Sequence, residues 1–164
     1  MSRILIADDN DSIRKSLANA LAAHNWTLCG EAANGREAVA MARELAPDLI
    51  ILDIAMPELD GLHAAAEISK SLPAVPIVAY TLHKSERLEL EGKKAGIRRV
   101  VSKGDSPALL FDAIQEFLAQ SPDLMVAAEA QVAGATTAEA QATAIAEDGV
   151  EDAAERAANA GTEN

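Results

Sequence analysis

Five times within residues 1–120, a short, almost wholly apolar run is followed by a stretch with helical spacing. The runs are Ile4–Ala7, Leu28–Ala33, Leu49–Leu52, Val75–Tyr80 and Arg99–Ser102. Near-continuous apolarity over so few residues describes strands covered on both faces, as in a parallel sheet. Parallel neighbours need long crossovers, and the intervening helical stretches supply them. Five consecutive β-then-α units therefore imply an α/β doubly wound open sheet, with helices on both faces. Sheets of this kind bind ligands outside the carboxyl ends of their strands.

The helical stretches carry local signals as well. Ile13, Leu17 and Leu21 recur every four residues, as do Leu109, Ala113 and Phe117 beside Leu110, Ile114 and Leu118. Asn34 stands where an N-cap is needed, and Ser106-Pro107 reads as a cap followed by proline at the first helical position. Pro47 stops the second helix, and Pro73 and Pro76 bracket the loop into the fourth strand. The weakest helical pattern is Ser85–Gly96, with Gly92 inside it and few apolar anchors, so low local stability is expected there.

Composition narrows the function classes. The only aromatic residues are Trp26, Tyr80, Phe111 and Phe117, too few for a stacking platform for bases. The net charge of −12 argues against direct binding to DNA or an anionic membrane. That charge is uneven: residues 121–164 carry nine acidic side chains against Arg156 alone, whereas residues 1–120 are nearly balanced. Two regions follow, a domain over 1–120 and an acidic Ala/Glu-rich tail over 121–164, expected to be solvated or loosely helical. The lone Cys29 allows no intramolecular disulfide, and the N-terminal apolar run is too short for a signal peptide, so a cytoplasmic location is expected.

The strand ends hold the chemistry. The first expected strand ends in Asp8 and Asp9, the third in Asp53, the fourth in Thr81, and Lys103 follows the fifth. All five positions fall at one edge of the sheet. Three carboxylates crowded there repel one another, and a hard, oxygen-seeking cation such as Mg²⁺ relieves that repulsion. A carboxylate nucleophile with a metal, a lysine and a hydroxyl around it suits phosphoryl transfer.

Ala-Asp-Asp at 7–9, Leu-Asp-Ile-Ala-Met-Pro-Glu-Leu-Asp-Gly at 52–61, Thr81, and Lys103 after Val-Val-Ser together resemble the receiver domain of two-component response regulators, over about residues 3–120. Asn34-Gly35-Arg36-Glu37-Ala38 matches that family's turn into its second helix, and Lys-Gly-Asp after the fifth strand is similar to receivers that precede a LuxR-type helix-turn-helix. The resemblance implies a flavodoxin-like sheet of order 2-1-3-4-5. It implies that Asp53 accepts the phosphoryl group from a histidine kinase or histidine phosphotransfer protein. Asp9, Asp53 and the Ala55 carbonyl would bind Mg²⁺ directly, and Asp8 would help through water. Lys103 would pair with the phosphoryl oxygens and Thr81 would move to meet them. The output would be altered binding to an unidentified protein target, with a phosphorylation-dependent homodimer also compatible.

Three features depart from the family pattern. Val100 replaces the aromatic residue common three positions before the lysine, which removes the usual threonine–aromatic coupling. Leu82 replaces the usual small residue after the threonine. No DNA-binding domain follows within these 164 residues. Ala55 and His83 occupy the two positions that tune phosphate lifetime in the family. These departures leave a degenerate receiver, acting as a phosphorylation-independent interaction module, as the alternative. An aspartyl-phosphate hydrolase of the haloacid dehalogenase type would need Asp-x-Asp after the first strand rather than Asp8-Asp9.

Several residues have plainer expectations. Asp60 and Gly61 read as cap and turn, Asp11 as support for the first helix, and Cys29 as a buried small apolar residue. Arg87, Lys93, Lys94, Arg98 and Arg99 read either as a solvated basic strip or as part of a docking face spanning the fourth helix and fifth strand.

Overall fold

The computed structural model describes residues 1–120; the expected acidic tail lies outside the described residues. The strands are β1 (Arg3–Ala7), β2 (Thr27–Ala32), β3 (Leu49–Leu52), β4 (Ile77–Thr81) and β5 (Ile97–Ser102). The helices are α1 (Asp11–Ala23), α2 (Gly35–Leu45), α3 (Gly61–Ser71), α4 (Glu86–Ala95) and α5 (Pro107–Ala119). All neighbouring strands are parallel, in the order β2-β1-β3-β4-β5. The expected fold class and strand order are both met. Among the described residues, no helix is long and apolar enough to cross a membrane.

The alternation of side chains along buried strands splits the core into two layers. Leu5, Ile50, Leu52, Ile77 and Ala79 face α2, α3 and α4, where they pack with Val39, Ala65 and Ile68. Ile4, Ile6, Leu49, Ile51 and Val78 face α1 and α5, where Leu17, Leu21, Leu110 and Ile114 meet them. β3 is buried at all four of its positions, as expected for the middle strand of a covered sheet.

Capping follows the sequence closely at α2 and α5. Asn34 accepts from the Glu37 N–H at 2.9 Å, and Ser106 accepts from Ala108 ahead of Pro107. Asp60 caps α3 by accepting from the His63 N–H at 2.9 Å, as expected of it. α1 is capped by Asn10, with Asp11 in its first turn.

Two strand starts differ from expectation. β4 begins at Ile77 rather than Val75, whose N–H is taken by the Leu72 carbonyl in the preceding turn. β5 begins at Ile97 rather than Arg99. Ile77 lies opposite Ile97 but Val78 lies opposite Arg99, so Arg98 is an extra, bulged residue. Bulges and exposed charges are common devices on edge strands, and here they hide the strand's start from an apolar-run reading. β2 is displaced by one residue, to Thr27–Ala32. Cys29 is half-buried rather than fully buried and packs against the α2–α3 layer.

Candidate functional site at the carboxyl edge of the sheet

The topology brings Asp8, Asp9, Asp53, Thr81 and Lys103 to one edge. Asp8 and Asp53 are almost fully buried, at 2% and 5% exposure, whereas Asp9 is exposed. The three residues each offer a carboxylate oxygen, and these oxygens all lie within 4.8 Å of one another. Lys103 sits among them: its Nζ is 2.6 Å from Asp8 Oδ2 and 3.2 Å from Asp53 Oδ2.

Backbone geometry sets each group. The Asp53 N–H donates to the Ala7 carbonyl at 2.8 Å, which ties the end of β3 to the end of β1. The Lys103 N–H donates to the Thr81 carbonyl at 2.8 Å, which ties the turn after β5 to the end of β4. Asp53 Oδ1 accepts from the Ile54 N–H at 2.7 Å and lies 3.4 Å from the Ala55 N, leaving Oδ2 toward Lys103. A Cβ on Gly61 would lie 2.2 Å from the Asp53 carbonyl oxygen, so only glycine lets α3 start this close to the acid. The Gly61 N–H donates to the Ile54 carbonyl at 2.9 Å and closes that turn.

The electrostatics follow from burial and crowding. Burial pushes the Asp53 carboxyl above the usual range; the Lys103 ammonium pulls it down, and the Asp8 carboxylate adds to the rise. Burial acts to lower the Lys103 ammonium, but its bond to Asp8 and the charges of Asp53 and Asp8 together hold it above its ordinary value. Three carboxyl groups stand against one ammonium, a donor set rich in negative charge of the kind a divalent cation neutralises. Mg²⁺ binds oxygens at about 2.0–2.1 Å, so its ligand oxygens stand about 3–4 Å apart, and the three carboxylate oxygens here already lie within 4.8 Å of one another. The donor set therefore fits the ion that sequence reading assigned to it.

Thr81 is buried at the end of β4 at 3% exposure, and among the described residues no hydrogen bond joins its hydroxyl to the carboxylates. Ala55 lies exposed in the turn after Asp53. Leu82 is 66% exposed, and Val100 is buried in the α2–α3 layer. His83 is exposed and His63 pairs with Asp60 at 2.8 Å, so neither joins the acid cluster.

Three residues at the site escaped sequence reading. Asn10 donates its backbone N–H to Asp8 Oδ1 at 2.8 Å. Arg14 donates to the Asp8 carbonyl, also at 2.8 Å. The Tyr80 ring lies with its centroid 5.9 Å from Lys103 Nζ. The first two act through backbone atoms, which leave no trace in a residue pattern. A polar cap directly after Asp-Asp was the available signal for Asn10.

Known proteins resemble this chain in sequence and fold. The family model for the response regulator receiver domain matches residues 4–115. The chemotaxis protein CheY of Thermotoga maritima is 34% identical over 70% of this chain and 95% of its own length. The transcriptional regulatory protein YdfI of Bacillus subtilis is 35% identical over 76% of this chain, which spans 61% of that longer protein. Among solved structures, a two-component response regulator of the LuxR family from Aurantimonas sp. SI85-9A1 is 30% identical. It superposes with a TM-score of 0.70 over 80% of this chain and 99% of its own. With its sheet order, its acid cluster and these relatives, the chain belongs to the response regulator receiver domain family of two-component signalling.

Proposed function

We propose that the chain is phosphorylated on Asp53 by a phosphohistidine donor and that this switches its binding to another protein. The observation that carries the reading is the Lys103 ammonium held between the buried carboxylates of Asp8 and Asp53, with Asp9 beside them.

An Asp53 carboxylate oxygen attacks phosphorus as the P–N bond to the donor imidazole breaks, and the imidazole leaves with its electron pair. Asp53 Oδ2 lies on the Lys103 side, so the ammonium is placed to pair with a phosphoryl oxygen arriving there. Thr81, buried at the neighbouring strand end, supplies a hydroxyl to the same group. Asp9 and Asp53, with the Ala55 carbonyl, would hold Mg²⁺, and Asp8 would assist. A bound Mg²⁺ supplies the positive charge that offsets the phosphoryl oxygens. The reaction modifies the chain itself, so the protein is a phospho-acceptor rather than a turnover enzyme.

The donor would be a histidine kinase or histidine phosphotransfer protein. The output would be a protein contact rather than DNA binding. A groove between α4, β5 and α5 supports this, lined by Lys93, Arg98, Arg99, Val100, Leu109 and Phe117 among others. A second reading, a receiver that binds partners without phosphorylation, is favoured by the buried Val100 in place of an aromatic switch residue.

Intact mass after incubation with Mg²⁺ and acetyl phosphate separates the two readings. The proposal expects a gain of one phosphoryl group (about 80 Da), dependent on Mg²⁺ and absent in Asp53→Asn. No gain in the folded wild type, with no beryllofluoride complex either, would favour the phosphorylation-independent module.

A further inference from the structure

The acid cluster has two well-held members and one that is not. Asp8 is fixed at every polar atom: its N–H donates to Ala32, Oδ1 accepts from Asn10, Oδ2 accepts from Lys103, and its carbonyl accepts from Arg14. Asp53 is fixed by the Ala7 carbonyl, the Ile54 N–H and Lys103. Asp9 is exposed, and among the described residues no hydrogen bond holds its carboxylate. The backbone that carries it sets its Cα–Cβ direction and therefore which positions its carboxylate can reach.

The Asp8 carbonyl belongs to the peptide unit joining Asp8 to Asp9. Arg14 Nη1 donates to that oxygen at 2.8 Å, while Nη2 lies 3.0 Å from Asp11 Oδ1. The Arg14 side chain is 15% exposed, low for an arginine near a helix start, and α1 carries it in its first turn. One arm is thus anchored on the helix and the other on the peptide that aims Asp9. A planar guanidinium fork can make both contacts at once; a lysine ammonium at the same place cannot reproduce them.

We propose that Arg14 is a positioning residue for the metal-binding acids: it sets the Asp8–Asp9 peptide and thereby points the Asp9 carboxylate into the cluster. The inference rests on the reading of that cluster as a Mg²⁺ site. It is distinct from a simple charge effect, and the two differ in sign. A cation beside a cation site repels the metal, so if Arg14 were only a charge, its removal would tighten Mg²⁺ binding. If it positions a ligand, its removal weakens binding, as loss of a group that orients a metal ligand usually does.

The test is calorimetric titration of Mg²⁺ into the unphosphorylated full chain at fixed ionic strength, for wild type, Arg14→Ala and Arg14→Lys. A thermal melt without metal checks that each variant is folded. The expected result is a Kd raised by about tenfold in Arg14→Ala and raised in Arg14→Lys as well, although the charge is kept. If Arg14→Ala does not fold, Arg14→Lys alone decides. Unchanged affinity in Arg14→Lys, or tighter binding in Arg14→Ala, would overturn the proposal while leaving the site intact. A wild type that shows no Mg²⁺ binding at millimolar concentrations would instead remove the metal-site reading, and this inference with it.

Discussion

α3 and α4 lie on the same side of the sheet and are nearly equal in length, yet they are held very differently. α3 buries Gly61, Ala64, Ala65 and Ile68, and its first residue touches the backbone of Asp53. α4 follows the strand that ends in Thr81 and buries Gly92 alone, with Leu88 and Ala95 only partly covered. Both have good N-caps, Asp60 and Ser85, so local capping does not account for the contrast. Packing does. The helix joined to the strand that leads into Asp53 is built into the core, and the helix after the threonine strand rests on its surface. If Asp53 is the phospho-acceptor proposed above, the first arrangement keeps the acid in place. The second leaves an element whose position can shift at low cost.

Substitutions should expose that contrast in order of size. Ile68→Ala in α3 should cost about 2–5 kcal/mol by chemical denaturation, because a fully buried side chain leaves a cavity. Leu88→Ala in α4 should cost no more than about half of that, since the side chain is only partly covered. Equal losses at the two positions would break the comparison.

The glycines of α3 and α4, Gly61 and Gly92, should respond with opposite signs. Gly61→Ala drives a methyl group against the Asp53 carbonyl oxygen and should destabilise by about 1–3 kcal/mol while displacing the acceptor loop. A Cβ on Gly92 would meet Ile97 at 3.4 Å or more, ordinary contact, so Gly92→Ala should stabilise by about 0.5–1 kcal/mol through helix propensity. If Asp53 is phosphorylated as proposed, a firmer α4 should then reduce the change in α4 hydrogen exchange that beryllofluoride produces. Leu90→Ala, at 64% exposure, should change stability by less than about 0.5 kcal/mol and sets the floor of the series.

Most of this organisation was legible in the sequence for physical reasons. Strands such as Leu49–Leu52 are buried on both faces and must be apolar throughout, so they stand out. Asp8, Asp9, Asp53 and Lys103 stand at strand ends, and parallel topology alone brings strand ends together. The low burial of α4 was also visible, as a shortage of apolar anchors between Ser85 and Gly96. What could not be read was whatever passes through the main chain: the Asn10 N–H on Asp8, the Arg14 grip on its carbonyl, and the bulge at Arg98 that moves the start of β5. Those depend on where backbone atoms lie in space, and side-chain identity does not encode them at any fixed spacing.

The most direct measurement is amide hydrogen exchange on the full chain, with and without Mg²⁺ and beryllofluoride as an aspartyl-phosphate mimic. If Asp53 is the acceptor and α4 the responsive element, exchange should change across Thr81–Gly96 and β5, with little change in α3, and Asp53→Asn should abolish the response. Changes confined to the turn around Asp53, or a response that survives in Asp53→Asn, would contradict the account.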